Sequence, residues 1–263
     1  MAVAITSLSP TGNTLLDSSS DLTVTIDAAA AGSLIVVVTA HGSASTPAAP
    51  VVTGGDVTTW STVHSNAFDT ASGWRHGIFF SAGYENGAGS PTTITVNPSN
   101  AVAAVVCDVI QVTGMPLGVD LAVSPETIFL QWVNGSGSSS TESTTTMVTL
   151  TDTTNNAWLW SDTWNDANGG RTNTIHSGFT EMLDLSTGPE PIAAYHMGLY
   201  TQFNVGDATV NPVITCTRST SFEFSGASCC EIAAAAASVF SGPLVNGGLV
   251  NNSLANGHSL VNA

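Results

Sequence analysis

Short runs of strand-forming residues recur along the whole chain and limit what it can fold into. The runs are rich in Val, Ile, Thr and aromatic residues, and clusters of Gly, Pro, Asn and Ser separate them. They include LTVTID (22–27), SLIVVVTA (33–40), HGIFFSAGY (76–84), TTITVN (92–97) and VAAVVCDVIQV (102–112). In 92–97 the apolar Ile94 and Val96 alternate with threonines, as in a strand with one buried face. The pattern predicts an all-β fold with antiparallel strands.

The two halves of the chain resemble each other, which indicates an internal duplication. Four pairs of segments match in the same order: LTVTID ending at Asp27 with VTLTD ending at Asp152, the strands beginning at Leu34 and Trp158, the strands around His76 and His196, and the strands around Cys107 and Cys230. Matches in one order, at slightly different spacings, are typical of duplicated strands with altered loops. The alanine-rich EIAAAAASVF (231–240) would also suit a helix, but the duplication predicts a strand there.

The duplication predicts two tandem antiparallel β-sandwich modules of the jelly-roll or immunoglobulin-like kind. We assign 1–134 to the first sandwich and 147–240 to the second. The segment between them, 135–146 (GSGSSSTESTTT), has the composition of a linker, and 241–263 forms an extended C-terminal arm. One larger jelly roll built from both halves is the alternative, and the sequence does not separate the two arrangements.

The charge of the chain excludes several partners. It has three arginines, no lysine and a net charge of −16. Nucleic-acid binding requires basic residues that displace counterions from phosphates, so we expect no nucleic-acid partner. Anionic membrane surfaces are disfavoured for the same reason, and no apolar run reaches the roughly 18 residues of a membrane span. Without a charged segment before its apolar start, the chain is expected to be made in a cytosol.

The four cysteines lie at positions 107, 216, 229 and 230. Their spacing fits neither a disulfide framework nor a zinc site, so we expect buried, reduced thiols in strands. The nucleophile elbow, P-loop, zinc-protease and dinucleotide-binding motifs are also missing from the sequence. We therefore predict a protein that is not an enzyme, with no catalytic residue, no metal site and no cofactor.

Histidines and acidic residues offer three weaker candidates for a site. His64 and His176 share the context T-x-H-S, but their spacing disagrees with that of the duplicated segments, so the likeness is attributed to chance. His76 and His196 are interpreted as strand-end histidines without further ligands. The oxygen-rich DTWNDANGG (162–170) lacks the spacing of a calcium loop and is interpreted as an ordinary loop.

Tryptophans are the candidates for ligand binding. Trp158 and Trp160 lie on one face of a predicted strand and are expected to be buried. Trp60, Trp74 and Trp132 lie near predicted loops, where an exposed ring could stack on a sugar. Each of the three is a candidate ligand-binding residue.

The C-terminal arm repeats small apolar pairs between Asn and Gly residues. Its apolar residues are Leu244, Val245, Leu249, Val250, Leu254, Leu260 and Val261. Gly and Asn favour tight turns between short extended pieces, and the apolar pairs need a partner surface. We therefore predict an interaction arm that binds neighbouring subunits or a partner protein, and a frayed chain end is the alternative.

The order of the segments resembles a known class of proteins. MAVAITSLSPTGNT, DLTVTIDAAAAGSLIVVVTAHG, GGDVTTWSTV and VVCDVIQVTGM together resemble tailed-bacteriophage virion structural proteins built from β-sandwich modules. The second half repeats this order more loosely, and the closing LVNGGLVNNSL is similar to low-complexity ends in such proteins. The resemblance covers most of 1–240.

This resemblance implies a structural role without catalysis. The expected function is to decorate or stabilise a phage capsid, through sandwich edges and the arm, in a virion assembled in the host cytoplasm. The expected partner is a major capsid protein or a tail protein, and a homo-oligomer such as a trimer is expected as well. The alternative is a glycan- or host-surface-binding module associated with a tail or fibre.

Overall fold

The computed structural model describes residues 2–9, 13–16, 21–43, 45–69, 75–87, 90–98, 104–138, 142–146, 156–166, 173–187, 196–206, 213–218, 224–236, 244–245 and 248–249. The strands, in chain order, are β1 (Ala4–Ser7), β2 (Asn13–Leu16), β3 (Leu22–Ile26), β4 (Leu34–Ser43), β5 (Val51–Gly54), β6 (Ser61–Asp69), β7 (Arg75–Tyr84), β8 (Thr92–Asn97), β9 (Ala104–Thr113), β10 (Phe129–Ser138), β11 (Glu142–Thr146), β12 (Ala157–Asp166), β13 (Asn173–Thr174), β14 (Thr180–Ser186), β15 (His196–Val205), β16 (Val213–Arg218), β17 (Phe224–Ile232), β18 (Leu244–Val245) and β19 (Gly248–Leu249). The one helical element in these ranges is a 3₁₀ turn, Pro125–Thr127. The prediction of an all-β fold is confirmed.

The strands form three larger sheets, and their pairs are antiparallel. Sheet I has the order β1-β9-β4-β7-β6, and β2 also pairs with β9. Sheet II has the order β3-β8-β5. Sheet III has the order β13-β16-β11-β10-β17-β12-β15-β14. Strands β18 and β19 pair only with each other.

Sheet I is the middle layer, because side chains from both of its faces are buried. All ten residues of β4 are buried, as expected for a strand covered on two sides. Ile35 and Val37 pack toward sheet II in a cluster that we call the first core. Val36 and Val38, on the opposite face, pack toward sheet III in a cluster that we call the shared core. By contrast, β3 in sheet II alternates buried apolar residues with exposed threonines.

The shared core joins the two halves of the chain. Its members from sheets I and III include Leu34, Phe80, Val106, Ile110, Leu159, Met197, Leu199, Cys230 and Ile232. A smaller outer cluster lies on the other face of sheet III and consists of Trp158, Trp160, Phe179, Tyr200, Ala227 and Cys229. The expected burial of Trp158 and Trp160 is confirmed, with exposed fractions of 2% and 0%. The two halves therefore bury apolar surface against each other.

The residues matched in the sequence do not occupy the same faces. Leu34 lies in the shared core, whereas Trp158 lies in the outer cluster. Cys107 lies in the first core, whereas Cys230 lies in the shared core. Because successive side chains of a strand point to opposite faces, a match that is shifted by one residue reverses every side chain. These two residue-by-residue matches are therefore wrong, although the segments around all four residues are strands.

Three segments differ from their predicted structure. The presumed linker 135–146 contributes the end of β10 and the whole of β11, because its serines and threonines pair with β17 and β16. The presumed loop 162–170 begins inside β12. The strand predicted at 231–240 ends at Ile232, and 233–236 leave the ladder as the amide of Ala233 donates to Ile128 O at 2.8 Å. The VTLTD segment and 237–240 lie outside the described residues.

The cysteines behave as predicted where they are described. Cys107, Cys229 and Cys230 are free and buried in β9 and β17. Burial raises the pKa of the Cys107 and Cys230 thiols well above the ordinary value, so both stay protonated. None of the described segments is an apolar helix long enough to span a bilayer.

Candidate functional site

Trp60 follows a tight turn that fixes its position. Gly54, Gly55 and Asp56 have positive φ angles of 83°, 73° and 56°. A Cβ atom on Gly54 would overlap the carbonyl oxygen of Thr93, so only glycine lets this turn lie against β8. The indole Nε1 of Trp60 donates a hydrogen bond to Gly54 O at 3.1 Å. The ring is therefore held by the turn that precedes it.

The half-buried ring of Trp60 lines a surface groove. Part of the ring packs against the first core, and the ring also borders a cavity of about 190 Å³ together with Val51 and Thr62. Ser61 lines this cavity and a neighbouring one of about 290 Å³, which also has Asp120 in its wall. We call these two cavities the Trp60 groove.

A third cavity lies beside the turn that holds Trp60. It measures about 390 Å³ and is lined by Asp56, Thr58 and Asn86. The backbone carbonyl of Asp56 accepts hydrogen bonds from the backbone amide of Asn86 at 3.0 Å and from its Nδ2 at 3.1 Å. This bonding leaves the exposed carboxylate of Asp56 at the edge of the cavity.

Trp132 has a different environment, at the seam between the two halves. Its ring stacks on the imidazole of His64, with centroids 4.1 Å apart and planes 3° apart. The ring of Phe80 meets it edge-on at 4.8 Å, and Phe129 lies 5.4 Å away. One face of the half-buried indole is therefore covered by His64 and is closed to a ligand.

Hydrogen bonds extend this seam. Asn134 Oδ1 accepts a hydrogen bond from Ser228 Oγ at 2.9 Å and lies 3.0 Å from His64 Nε2. An amide oxygen only accepts, so Nε2 of His64 carries the proton. Burial lowers the pKa of His64, with the hydrogen bond to Asn134 acting in the opposite direction. Asn66 Nδ2 donates to Ser228 Oγ at 3.3 Å, so β6 of sheet I is joined to β10 and β17 of sheet III.

Asp108 is a buried carboxylate between the two halves. Its Oδ2 accepts a hydrogen bond from Thr201 Oγ1 of sheet III at 2.5 Å, and its Oδ1 lies 3.5 Å from Ser9 Oγ. Burial raises the pKa of Asp108 to about 6, although the hydrogen bonds from Thr201, the Val109 amide and Ser9 act to lower it. No sequence pattern predicts this contact, since Ser9 and Thr201 are both distant from Asp108 along the chain.

Replacement of Asp108 by asparagine is expected to stabilise the protein at neutral pH. The pKa of Asp108 in the folded protein lies above the unfolded value of 3.8. The neutral carboxyl therefore contributes its whole stabilisation below pH 3.8, and this stabilisation is lost as the pH rises through about 6. Asp108→Asn should therefore raise the free energy of unfolding by about 2–3 kcal/mol near pH 7.5. Urea unfolding measures this gain.

The pH dependence separates this explanation from a general packing effect. The stability difference between Asp108→Asn and the native chain should shrink toward pH 4, while the other titrating groups cancel because both chains contain them. Asp120→Asn, at an exposed position, is the control and should change stability by less than about 0.5 kcal/mol. An Asp108→Asn effect that is equal at both pH values would contradict the assigned cause.

Two histidines inside sheet I were not identified as buried by the sequence. His41 is fully buried, its two ring nitrogens have no hydrogen-bond partner among the described residues, and its ring lies 4.9 Å from that of Phe79. Burial lowers the pKa of His41 and of His76 to about 3, so both are neutral at physiological pH. His196, which was matched with His76, is half-buried, and its Nδ1 bonds Thr187 O at 2.8 Å.

The remaining predicted site residues are only partly described. Trp74, Val250, Leu254, Leu260 and Val261 lie outside the described residues. Leu244, Val245 and Leu249 lie in β18 and β19. In the part of the chain that the structure describes, no three His, Cys, Asp or Glu side chains are grouped to hold a metal ion.

The chain was compared with known protein families, curated proteins and solved structures. No protein-family model matches it, and searches of the curated proteins and of the solved structures find no match either.

Proposed function

We propose that this chain is a non-enzymatic structural protein of a tailed-bacteriophage virion. In this proposal it consists of two duplicated antiparallel β-sandwiches and decorates or stabilises the capsid through sandwich edges and the C-terminal arm. The observation that carries the proposal is the shared core, which joins the two halves into one block. Such a block suits a protein whose task is to keep its shape while it binds other subunits.

The strand orders support the duplication. In the first half the order is β1-β9-β4-β7-β6 in one sheet and β3-β8-β5 in the other. In the second half, strands at the same places in the chain order give β10-β17-β12-β15-β14 and β11-β16-β13. Eight strands that follow one pairing scheme twice are expected of a duplicated module and are not required by the general rules of sheet packing.

Two local irregularities also occur at corresponding places. The edge strand β6 has a bulge between Thr62 and His64, and the edge strand β14 has one between Glu181 and Leu183. In both strands the bulge follows the first two paired residues. Bulges interrupt the pairing of an exposed edge with other chains. Uncontrolled edge-to-edge pairing is thus restricted, as a protein that assembles in a defined geometry requires.

A glycine faces a ring in each half. Gly77 of β7 pairs with His41 of β4, and Gly198 of β15 pairs with Trp164 of β12. A side chain on Gly198 would overlap the Trp164 ring, and one on Gly77 would meet Phe79 at 2.8 Å. These corresponding pairs support a common origin of the two halves. They match Gly77 with Gly198 and His41 with Trp164, a residue-by-residue correspondence that the sequence comparison did not find.

The C-terminal arm supports a role in assembly. Leu244 pairs with Leu249 and Val245 with Gly248, and the sequence between the paired positions is Asn-Gly, the dipeptide favoured in two-residue hairpins. An isolated two-stranded hairpin is marginally stable in water, so it needs a surface to pack on. We propose that this surface belongs to a neighbouring copy, a major capsid protein or a tail protein.

Removal of the arm is expected to convert an oligomer into a folded monomer. The full chain should have the mass of a discrete oligomer by light scattering, and a chain that ends at Ser241 should have the monomer mass with the same thermal unfolding midpoint. Leu244→Ser with Leu249→Ser, in the full chain, should also give a monomer, because it removes the two leucines of the hairpin and keeps the rest of the arm. The same number of subunits in all three chains would contradict a role of the arm in self-assembly.

A further inference from the structure

The tryptophans described by the structure differ in what their rings can bind. Trp158, Trp160 and Trp164 have exposed fractions of 2% or less, and His64 covers one face of Trp132. Of the three cavities described above, one is lined by a tryptophan, Trp60. If the protein binds a ligand by stacking on indole, the described residues offer Trp60 as the platform.

The ring of Trp60 is fixed before any ligand arrives. The Nε1 hydrogen bond to Gly54 O holds one edge, and the first core supports part of the ring. The turn beneath it is fixed as well, because a Cβ atom on Gly55 would lie 2.9 Å from Ile94 Cγ1. A platform that does not need to be ordered on binding loses little conformational entropy, which favours even a weak ligand.

The groups around the ring define the chemistry of a ligand. Ser61 and Thr62 bring hydroxyl groups to the Trp60 cavity, and the neighbouring cavity has the exposed carboxylate of Asp120 and the ring of Tyr84. Hydroxyl and carboxylate oxygens accept hydrogen bonds from the hydroxyl groups of a ligand. The negative face of an indole attracts the weakly positive C–H groups of a saturated ring. A pyranose has both kinds of group: C–H groups on the face of its ring and hydroxyl groups around its edge.

Charge narrows the ligand class further. The chain has a net charge of −16, and the carboxylates of Asp56 and Asp120 lie at the cavities around Trp60. An anionic ligand would be repelled, and a purely apolar one would leave these polar groups without partners. An uncharged polyhydroxylated ring is not repelled by the carboxylates, and it can form hydrogen bonds with the polar groups.

We infer that the Trp60 groove binds a neutral saccharide, with one pyranose unit stacked on Trp60 and the next in the cavity shared through Ser61. No described residue of the C-terminal arm lines the groove, although Leu121 of the shared core lies in the wall of its second cavity. The site therefore stands independently of the proposed structural role, and a glycan on a cell or particle surface is the kind of molecule that it fits.

The experiment uses a panel of neutral oligosaccharides built from glucose, mannose, galactose, xylose or N-acetylglucosamine. Each is titrated to millimolar concentration into the full chain while tryptophan emission and the heat of binding are recorded. At least one member should bind, and Trp60→Ala should weaken it by about tenfold or more. Trp132→Phe is the matched control, because it changes a tryptophan of the seam and should leave the affinity unchanged.

Further variants protect the test from a folding defect. Thermal unfolding shows whether each variant is folded. Thr62→Val and Asp120→Asn alter polar groups of the groove and keep the Trp60 ring, so each should weaken saccharide binding by severalfold. Binding should persist in the chain that ends at Ser241, which separates this site from assembly through the arm. Failure of every panel member to bind, or equal affinity in the native chain and Trp60→Ala, would overturn the inference.

Discussion

Gly198→Ala is expected to destabilise the protein by more than about 3 kcal/mol. Gly198 lies in β15 directly opposite Trp164 of β12, and a Cβ atom at this position would overlap the indole ring. Trp164 is fully buried, so its ring has no free space into which it could move. Urea unfolding measures the loss, and a midpoint within error of the native chain would contradict the described contact.

A double-mutant cycle tests whether the ring is the cause. Trp164→Leu replaces the ring with a smaller side chain, so Gly198→Ala should cost much less in that background than in the native chain. Gly118→Ala is the control for a general effect of glycine replacement. Gly118 has a φ of 69° and nothing within 4 Å of its added Cβ, so backbone strain of about 1 kcal/mol is expected there. Additive effects of the two core substitutions would contradict the account.

Leu199→Ala is expected to cost about 2–5 kcal/mol and to weaken both halves of the chain. Leu199 belongs to β15 of the second half but packs in the shared core with residues of sheet I. A cavity there removes contacts from sheets I and III together. Hydrogen exchange should therefore accelerate in β4 and β7 as well as in β12 and β15, and unfolding should remain a single transition.

The matched control for this cavity is Val205→Ala in the same strand. Val205 has an exposed fraction of 46%, so its truncation should change the free energy of unfolding by less than about 0.5 kcal/mol. Faster exchange confined to β12 and β15 in Leu199→Ala would mean that the halves unfold separately. That result would contradict the single block on which the proposed structural role depends.

The strands were predictable because their sequence patterns are local. The predicted 92–97 coincides with β8, and 33–40 and 76–84 overlap most of β4 and β7. Alternation was a sufficient guide in β8, where Ile94 and Val96 are buried and Thr93 is exposed. In β4 both faces are buried, so the sequence has no alternation that would fix which residues face which layer.

The register of the duplication was harder to predict for the same reason. Leu34 and Trp158 are both apolar residues at the start of buried strands, and a shift of one residue changes neither composition nor strand length. Such a shift does change the sheet face on which each side chain lies. The correct correspondence between the two halves became visible from the strand partners of Gly77 and Gly198. Strand ladders are contacts between distant residues, which a single sequence does not specify.

The candidate site was predictable only in part. Trp60 was identified as a ligand-binding candidate, and Gly-Gly-Asp just before it is a local turn signal that could have placed it beside a fixed turn. Trp132 was grouped with it, because its contact with His64 depends on how the two halves pack. Asp108 lies in an apolar run, and its burial depends on hydrogen bonds from distant residues, Thr201 of the second half and Ser9.

The number of copies in purified virions tests the proposed function most directly. The proposal predicts that the chain is present in virions of a tailed phage in a fixed ratio to the major capsid protein, measured by quantitative mass spectrometry with isotope-labelled peptides. We expect many copies per particle and labelling of the particle surface by an antibody against the chain. Absence of the chain from washed virions, or only a trace amount relative to capsid subunits, would contradict a role as a virion structural protein.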